Sequence, residues 1–222
     1  NCMITEETKL ERERKFEKIN RYFIPAYLLL GVGAAIVNAF RKDVYHFSIG
    51  MGTLLIPLAL TLFYKIFHLK RVHQVDFWVV LFSLVGYTCG SVLEFYLMIP
   101  NFDKIVHTLS GVLVSMLAYA LFRAVKPGHA VEKKDRALAM LFVFFTSMAV
   151  AGMWEICEYF GNLITGRDVQ RVLATGVGDT MQDMIVCMIG TLISLPFVGR
   201  ACEGKPSALT SPADAFIELN MK

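Results

Sequence analysis

The sequence predicts an all-α, polytopic integral membrane protein, a bundle of six transmembrane helices with both termini in the cytoplasm. Three observations carry this. The 222 residues are 55% hydrophobic and only 18% charged, whereas soluble domains run near 45–50% apolar and about 25% charged. Apolar runs of about 20 residues, the length that crosses a bilayer core, recur along the whole chain. Lysine and arginine alternate between rich and poor connections, as the positive-inside rule requires.

The elements follow in order. Residues 1–21 form a charged segment that reads as a cytosolic helix running into the first span, not as a signal peptide, because Glu6 to Arg21 mixes both signs densely and no cleavage-like site follows. The transmembrane domain covers residues 22–198, with spans expected at 22–40, 47–67, 77–99, 104–124, 137–163 and 178–198. A cytosolic tail, residues 199–222, contains Gly, Pro, Ser and Thr and reads as loosely ordered. Summed over alternate sides, the connections and termini hold 17 Lys and Arg on one side and 5 on the other. The richer side is the cytoplasm, so the expected location is the bacterial inner membrane with N and C termini inside.

Other classes are excluded. A net charge of +3 is too small for a nucleic-acid module. The five cysteines, at 2, 89, 157, 187 and 202, have no disulfide or zinc spacing. The motifs HExxH and GxSxG are absent.

The ionisable groups of the spans are one-sided. Glu94 lies late in the third span, Asp103, Lys104 and His107 open the fourth, Glu155 and Glu158 lie late in the fifth, and Asp179 and Asp183 open the sixth. With the termini inside, all of these fall at outer helix ends. Asp103 and His107 are four apart, as are Asp179 and Asp183, and Glu155 and Glu158 are three apart, so each pair is expected on one helix face. The same faces continue through Ser110, Gly111 and Ser115, through Gly190, and through Gly86 and Gly90 to Glu94. Small residues of this kind permit close helix approach. The polar faces should therefore point into the bundle.

A charge at bilayer depth costs roughly 2.5–3.5 kcal/mol on insertion scales. A bound cation, a shared proton, or Lys104, Arg167 and Arg171 must compensate. Taken singly, each group has a plain structural reading: His107 as a packed histidine, Asp179 with Thr180 as a helix N-cap, Trp154 as an interface anchor, Asp168 with Arg171 as a loop ion pair. Their convergence from four helices at one level points instead to a functional site.

Three blocks carry a resemblance. Asp103-Lys104-Ile105-Val106-His107-Thr108-Leu109-Ser110-Gly111, Trp154-Glu155-Ile156-Cys157-Glu158, and Gln170 with Gly178-Asp179-Thr180-Met181-Gln182-Asp183 resemble the DKxxHxxSG, WEIxE and DTMxD blocks of the YjdF family of bacterial inner-membrane proteins. The resemblance covers about residues 76–195. More distantly, a DKxxH block followed by acid-rich outer helix ends is similar to the VanZ-like membrane proteins, linked to glycopeptide resistance. These resemblances imply a fold and a site, not an activity.

Carboxylates with one imidazole suit a divalent metal ion, Mg, Mn or Zn. The expected ligands are Glu94, Asp103, His107, Glu155, Glu158, Asp179 and Asp183, with Glu155, Asp183 and His107 catalytic. Arg167, Arg171, Gln170, Trp154 and Lys104 would hold substrate, a membrane lipid or lipid-linked head group. The expected function is a divalent-metal-dependent hydrolase or transferase of the cell envelope. Its alternatives are a non-catalytic cation- or lipid-binding accessory protein and a small proton- or cation-coupled transporter. The absence of evident broken helices and of polar groups along the inner halves weighs against transport.

Overall fold

A computed structural model describes residues 6–166, 168, 170 and 172–221, without the side chains of residues 6–9 and 174. The described residues are helical, with no strand among them. Six helical segments are long and apolar enough to cross a membrane: Leu10–Phe40, Val44–Ile66, His73–Val92, Phe102–Val125, Lys133–Thr165 and Gly178–Ala201. The expected all-α, six-span architecture is therefore present. The chain divides into two compact units, residues 1–103 with 214–222, and residues 104–213.

In the first unit, α1 (Glu6–Phe40) runs unbroken from the charged segment through Pro25 into the apolar run. The second span is two helices, α2 (Val44–Gly52) and α3 (Leu55–Ile66). Its interruption at Thr53 and Leu54 corrects the expectation of unbroken helices. Close packing explains the site of the break. A Cβ on Gly31 would stand 2.1 Å from Thr53 Oγ1, and one on Gly50 would stand 2.9 Å from the Gly31 carbonyl oxygen. Thr53 is fully buried there and donates its hydroxyl to the Gly50 carbonyl at 2.8 Å.

The third span is α4 (His73–Ser83) continued as a π-helical stretch, Leu84–Val92. It stops there and not at 99 as expected. Glu94 takes a left-handed conformation, φ +60°, and a short α5 (Phe95–Met98) follows. In a π-helix the repeat is longer than in an α-helix, as the Leu93 N–H to Thr88 carbonyl bond at 2.9 Å shows. Residues four apart no longer stack, so Gly86, Gly90 and Glu94 do not form the continuous face that α-helical spacing implied. Gly90 instead seats the Tyr96 ring, which a Cβ would meet at 2.3 Å.

Polar residues hold the other end of this unit together. Glu13 accepts from the His73 backbone N–H at 2.8 Å and from the Gln74 amide, and Asn20 donates to the His73 carbonyl at 2.8 Å. Arg71 Nε lies 3.0 Å from Asp76 Oδ2, with Asp76 almost wholly buried. Asp76 went unnoticed in the sequence because it lies one residue before the apolar run.

The second unit is built from α6 (Phe102–Val125, of which Phe102 and Asp103 precede the division), α7 (Arg136–Thr165), the single turn α8 (Val172–Thr175) and α9 (Gly178–Ala201). Tyr119, Phe122, Ala139, Val143 and Val198 form its buried apolar core. Outward residues of α7, among them Leu138, Leu141, Phe145, Met153, Phe160 and Leu163, are exposed apolar side chains at three- and four-residue spacing. A helix that leaves such a stripe uncovered belongs in lipid. The tail is not loosely ordered: Ser211–Asn220 forms α10, and Ala213, Ala215 and Ile217 are buried.

Candidate functional site

The site is carried by the first turns of α6 and α9 and the last third of α7. Small residues bring α6 and α9 together. A Cβ on Gly111 would stand 2.1 Å from the Cys187 carbonyl oxygen, and one on Gly190 would stand 2.0 Å from that of Thr108. Glycine allows two helix backbones to touch at this crossing. Around it the hydroxyls turn inward. Ser110 Oγ reaches Cys187 Sγ at 3.7 Å, and Ser147 Oγ on α7 reaches Thr191 Oγ1 on α9 at 2.6 Å.

One to two turns above the crossing, the charged residues meet. Lys104 Nζ lies 2.6 Å from Asp179 Oδ1 and 2.8 Å from Asp183 Oδ1. His107 Nε2 stands 3.7 Å from the same Asp183 oxygen. Asp103, His107 and Asp183 offer donor atoms that all lie within 4.8 Å of one another. Asp103 belongs to the first turn of the helix that bears Lys104 and His107, so its position follows from that helix. Acidic residues also suit the positive ends of α6 and α9. Asp179 lies inside the first turn of α9, since the N-cap is Val177. It therefore bonds Lys104 and is not the cap that the Gly-Val-Gly loop suggested.

Glu155 enters from α7. It is 6% exposed, and its Oε2 has no hydrogen-bond partner among the described residues. The carboxyl feels the charges of Asp183 and His107, and the Thr180 hydroxyl and Gln170 amide bear on it. Gln170, itself buried, donates to the Glu155 backbone carbonyl at 3.1 Å and to Thr180 Oγ1 at 3.4 Å. It is anchored further by the Asn162 amide, 3.2 Å from its Oε1. Gln170 thus ties the loop to α7 and α9.

The remaining expected site residues have surroundings of their own. Glu158 does not share the buried setting of Glu155. It accepts from Trp154 Nε1 at 2.8 Å, and that indole is more than half exposed. Three residues along an α-helix is a 60° step, enough to carry Glu158 to the rim. Glu94 belongs to the first unit, where its Oε1 lies 3.1 Å from His46 Nε2. His46 Nδ1 in turn lies 2.6 Å from Asp43 Oδ2. The sequence holds one signal for this group, the Asp43–His46 spacing of an N-cap. Lys104, expected to hold substrate, has its ammonium between two carboxylates. Arg167 and Arg171 lie outside the described residues.

The donor set determines the chemistry available. Two carboxylates and one imidazole are hard-to-borderline ligands, matched to Mg, Mn or Zn. A cysteine thiolate is not among them. The ammonium between Asp179 and Asp183 offsets part of the cost of burying those acids.

The model of a family of predicted membrane proteins, DUF2238, matches residues 20–203. The chain belongs to that family. The match takes in five spans whole, the first from residue 20 onward, and every residue of the site, so the polar groups described above lie within the family's own domain. No curated protein and no solved structure matches the chain.

Proposed function

We propose that this DUF2238 chain is a divalent-cation-dependent membrane protein acting on a lipid or lipid-linked head group, as a hydrolase or transferase, with its site on the extracytoplasmic face. The observation that carries the reading is the convergence of Asp103, His107 and Asp183 donor atoms within 4.8 Å. Three protein ligands leave positions open, and an ion bound there supplies Lewis acidity and an acidified water. Asp183 would be a ligand while its Oδ1 stays tied to Lys104. His107 would be the nitrogen ligand. Glu155 would take a proton at its buried Oε2, beside the triad but not part of it. Asp179 holds Lys104, and Lys104 holds Asp183, so both act by positioning. The bacterial inner membrane and the cytoplasmic termini belong to this reading, supported by the 17-to-5 distribution of cations. So does the kinship with YjdF and VanZ-like proteins, supported by the three sequence blocks.

A second reading has its own support. Lys104 already neutralises charge between Asp179 and Asp183, and such a network can clamp α6 to α9 in an accessory protein with no turnover. Thermal denaturation of the purified protein during titration with Zn, Mn and Mg separates the two. Saturable stabilisation by one ion, lost in Asp183→Asn, supports the cation-dependent reading. Indifference to all three ions supports the clamp.

A further inference from the structure

A groove in the first unit carries a site of a different kind. It has a volume of about 360 Å3 and lies along α1, with Leu29, Gly33 and Val37 on one wall and Val92 and Leu93 on the other. Its shape has a local cause. The third span ends its π-helical stretch at Val92, and the left-handed Glu94 turns the chain aside. The third span therefore does not continue beside the last turns of α1, and Gly33 presents no side chain to the space. A Cβ built on Gly33 meets nothing within 4 Å.

At the end of the groove, Asn38 and Arg41 replace the apolar lining. Among the described residues no hydrogen bond or ion pair engages the side chain of Arg41 or of its neighbour Lys42. The adjacent acid does not neutralise them. Asp43 accepts from the His46 backbone N–H at 3.0 Å and faces the His46 ring at 2.6 Å. The result is an apolar trough that ends in two cations with no counter-ion among the described residues. An acyl chain fits the first part, and a phosphate-bearing head group of net negative charge fits the second.

We propose that this groove is a binding site for an anionic phospholipid, its acyl chain lying against Leu29, Gly33 and Leu93 and its phosphate held by Arg41. The groove shares no residue with the carboxylate and histidine cluster of α6, α7 and α9, and does not depend on that cluster's function. A zwitterionic lipid of the same chain length would fill the trough but gain less from the two cations.

Native mass spectrometry tests this on the full chain in detergent micelles, with phosphatidylglycerol or phosphatidylcholine of identical acyl chains added. The parent should retain phosphatidylglycerol in preference. Gly33→Leu should lose the retained lipid of both kinds, since the side chain fills the trough. The open space at Gly33 lets this variant fold, which an unchanged melting temperature would verify. Arg41→Gln should keep chain binding and lose about tenfold of the preference for phosphatidylglycerol, the scale of one charge-assisted hydrogen bond. Equal retention of the two lipids by the parent would overturn the proposal. So would full retention by folded Gly33→Leu, or a dimer whose formation expels the lipid.

Discussion

Lys104 and Asp183 meet at 2.8 Å, an ammonium of α6 against a carboxylate of α9 that is almost removed from solvent. The same ammonium lies 2.6 Å from Asp179. Removing it leaves two acids facing each other across a buried gap. Breaking a buried pair from one side costs about 3–5 kcal/mol. Lys104→Met should therefore lower the melting temperature markedly. Adding Asp179→Asn and Asp183→Asn to that variant should restore much of the loss, because the stranded charges go with the lysine. A triple variant no more stable than Lys104→Met would show that the pair is not what holds this end together.

The crossing of α6 and α9 gives a second expectation. Gly111→Ala and Gly190→Ala each drive a methyl into a backbone carbonyl, at 2.1 and 2.0 Å. The backbone cannot yield as a side chain can, so each should destabilise by at least the ~1–3 kcal/mol typical of overpacking. Gly152→Ala on α7, where a Cβ meets nothing within 4 Å, is the control and should be neutral or slightly stabilising. Melting temperatures of the three variants in one detergent decide the matter.

A pH dependence follows from Asp43. The His46 backbone N–H, and then its imidazole, hold the Asp43 carboxyl below its ordinary range. A depressed acid contributes stability that is complete above its unfolded pKa and is lost as pH falls through the folded value. The advantage of the parent over Asp43→Ala should thus be present above roughly pH 4, the unfolded carboxylate value, and be lost as pH falls below it. An advantage that grew as pH fell below that value would contradict the cap.

Orientation can be read by labelling. In a chain stripped of its native cysteines, Thr165→Cys, at the end of α7 nearest the site, should react with a membrane-impermeant thiol reagent added outside cells. Glu132→Cys, in the loop before α7, should be protected. The opposite pattern would place the site in the cytoplasm.

The sequence made some of this architecture readable and hid the rest for identifiable reasons. Hydropathy located six spans because each is a continuous apolar run, and helix counting placed Ser110, Gly111 and Gly190 on the faces that meet, because α6 and α9 are regular helices. The π-helical stretch at Leu84–Val92 left no such trace. Its wider turn changes which residues align without changing the composition, so α-helical counting does not give the surroundings of Glu94. The pairing of Glu94 with His46 depends on that turn and on contacts 48 residues apart. The break at Thr53 depends on how closely Gly31 and Gly50 are approached, which one strand of sequence does not encode by itself. Glu155 and Glu158 were grouped by a three-residue spacing that in a helix only approximates a shared face. The helix α10 was obscured by turn-forming residues before it, at Gly204, Pro206 and Ser207.

Elemental analysis of the purified protein, prepared without added chelator, tests the central claim most directly. The parent should carry about one equivalent of a single divalent metal that a chelator removes. Asp183→Asn should carry none while remaining folded, since the amide keeps the volume of the carboxylate but cannot neutralise the ion. His107→Ala should lose the ion wholly if it is zinc and only in part if it is magnesium or manganese, which prefer oxygen. A parent without metal that also takes up none on addition, or an Asp183→Asn variant with the parent's full content, would contradict the account.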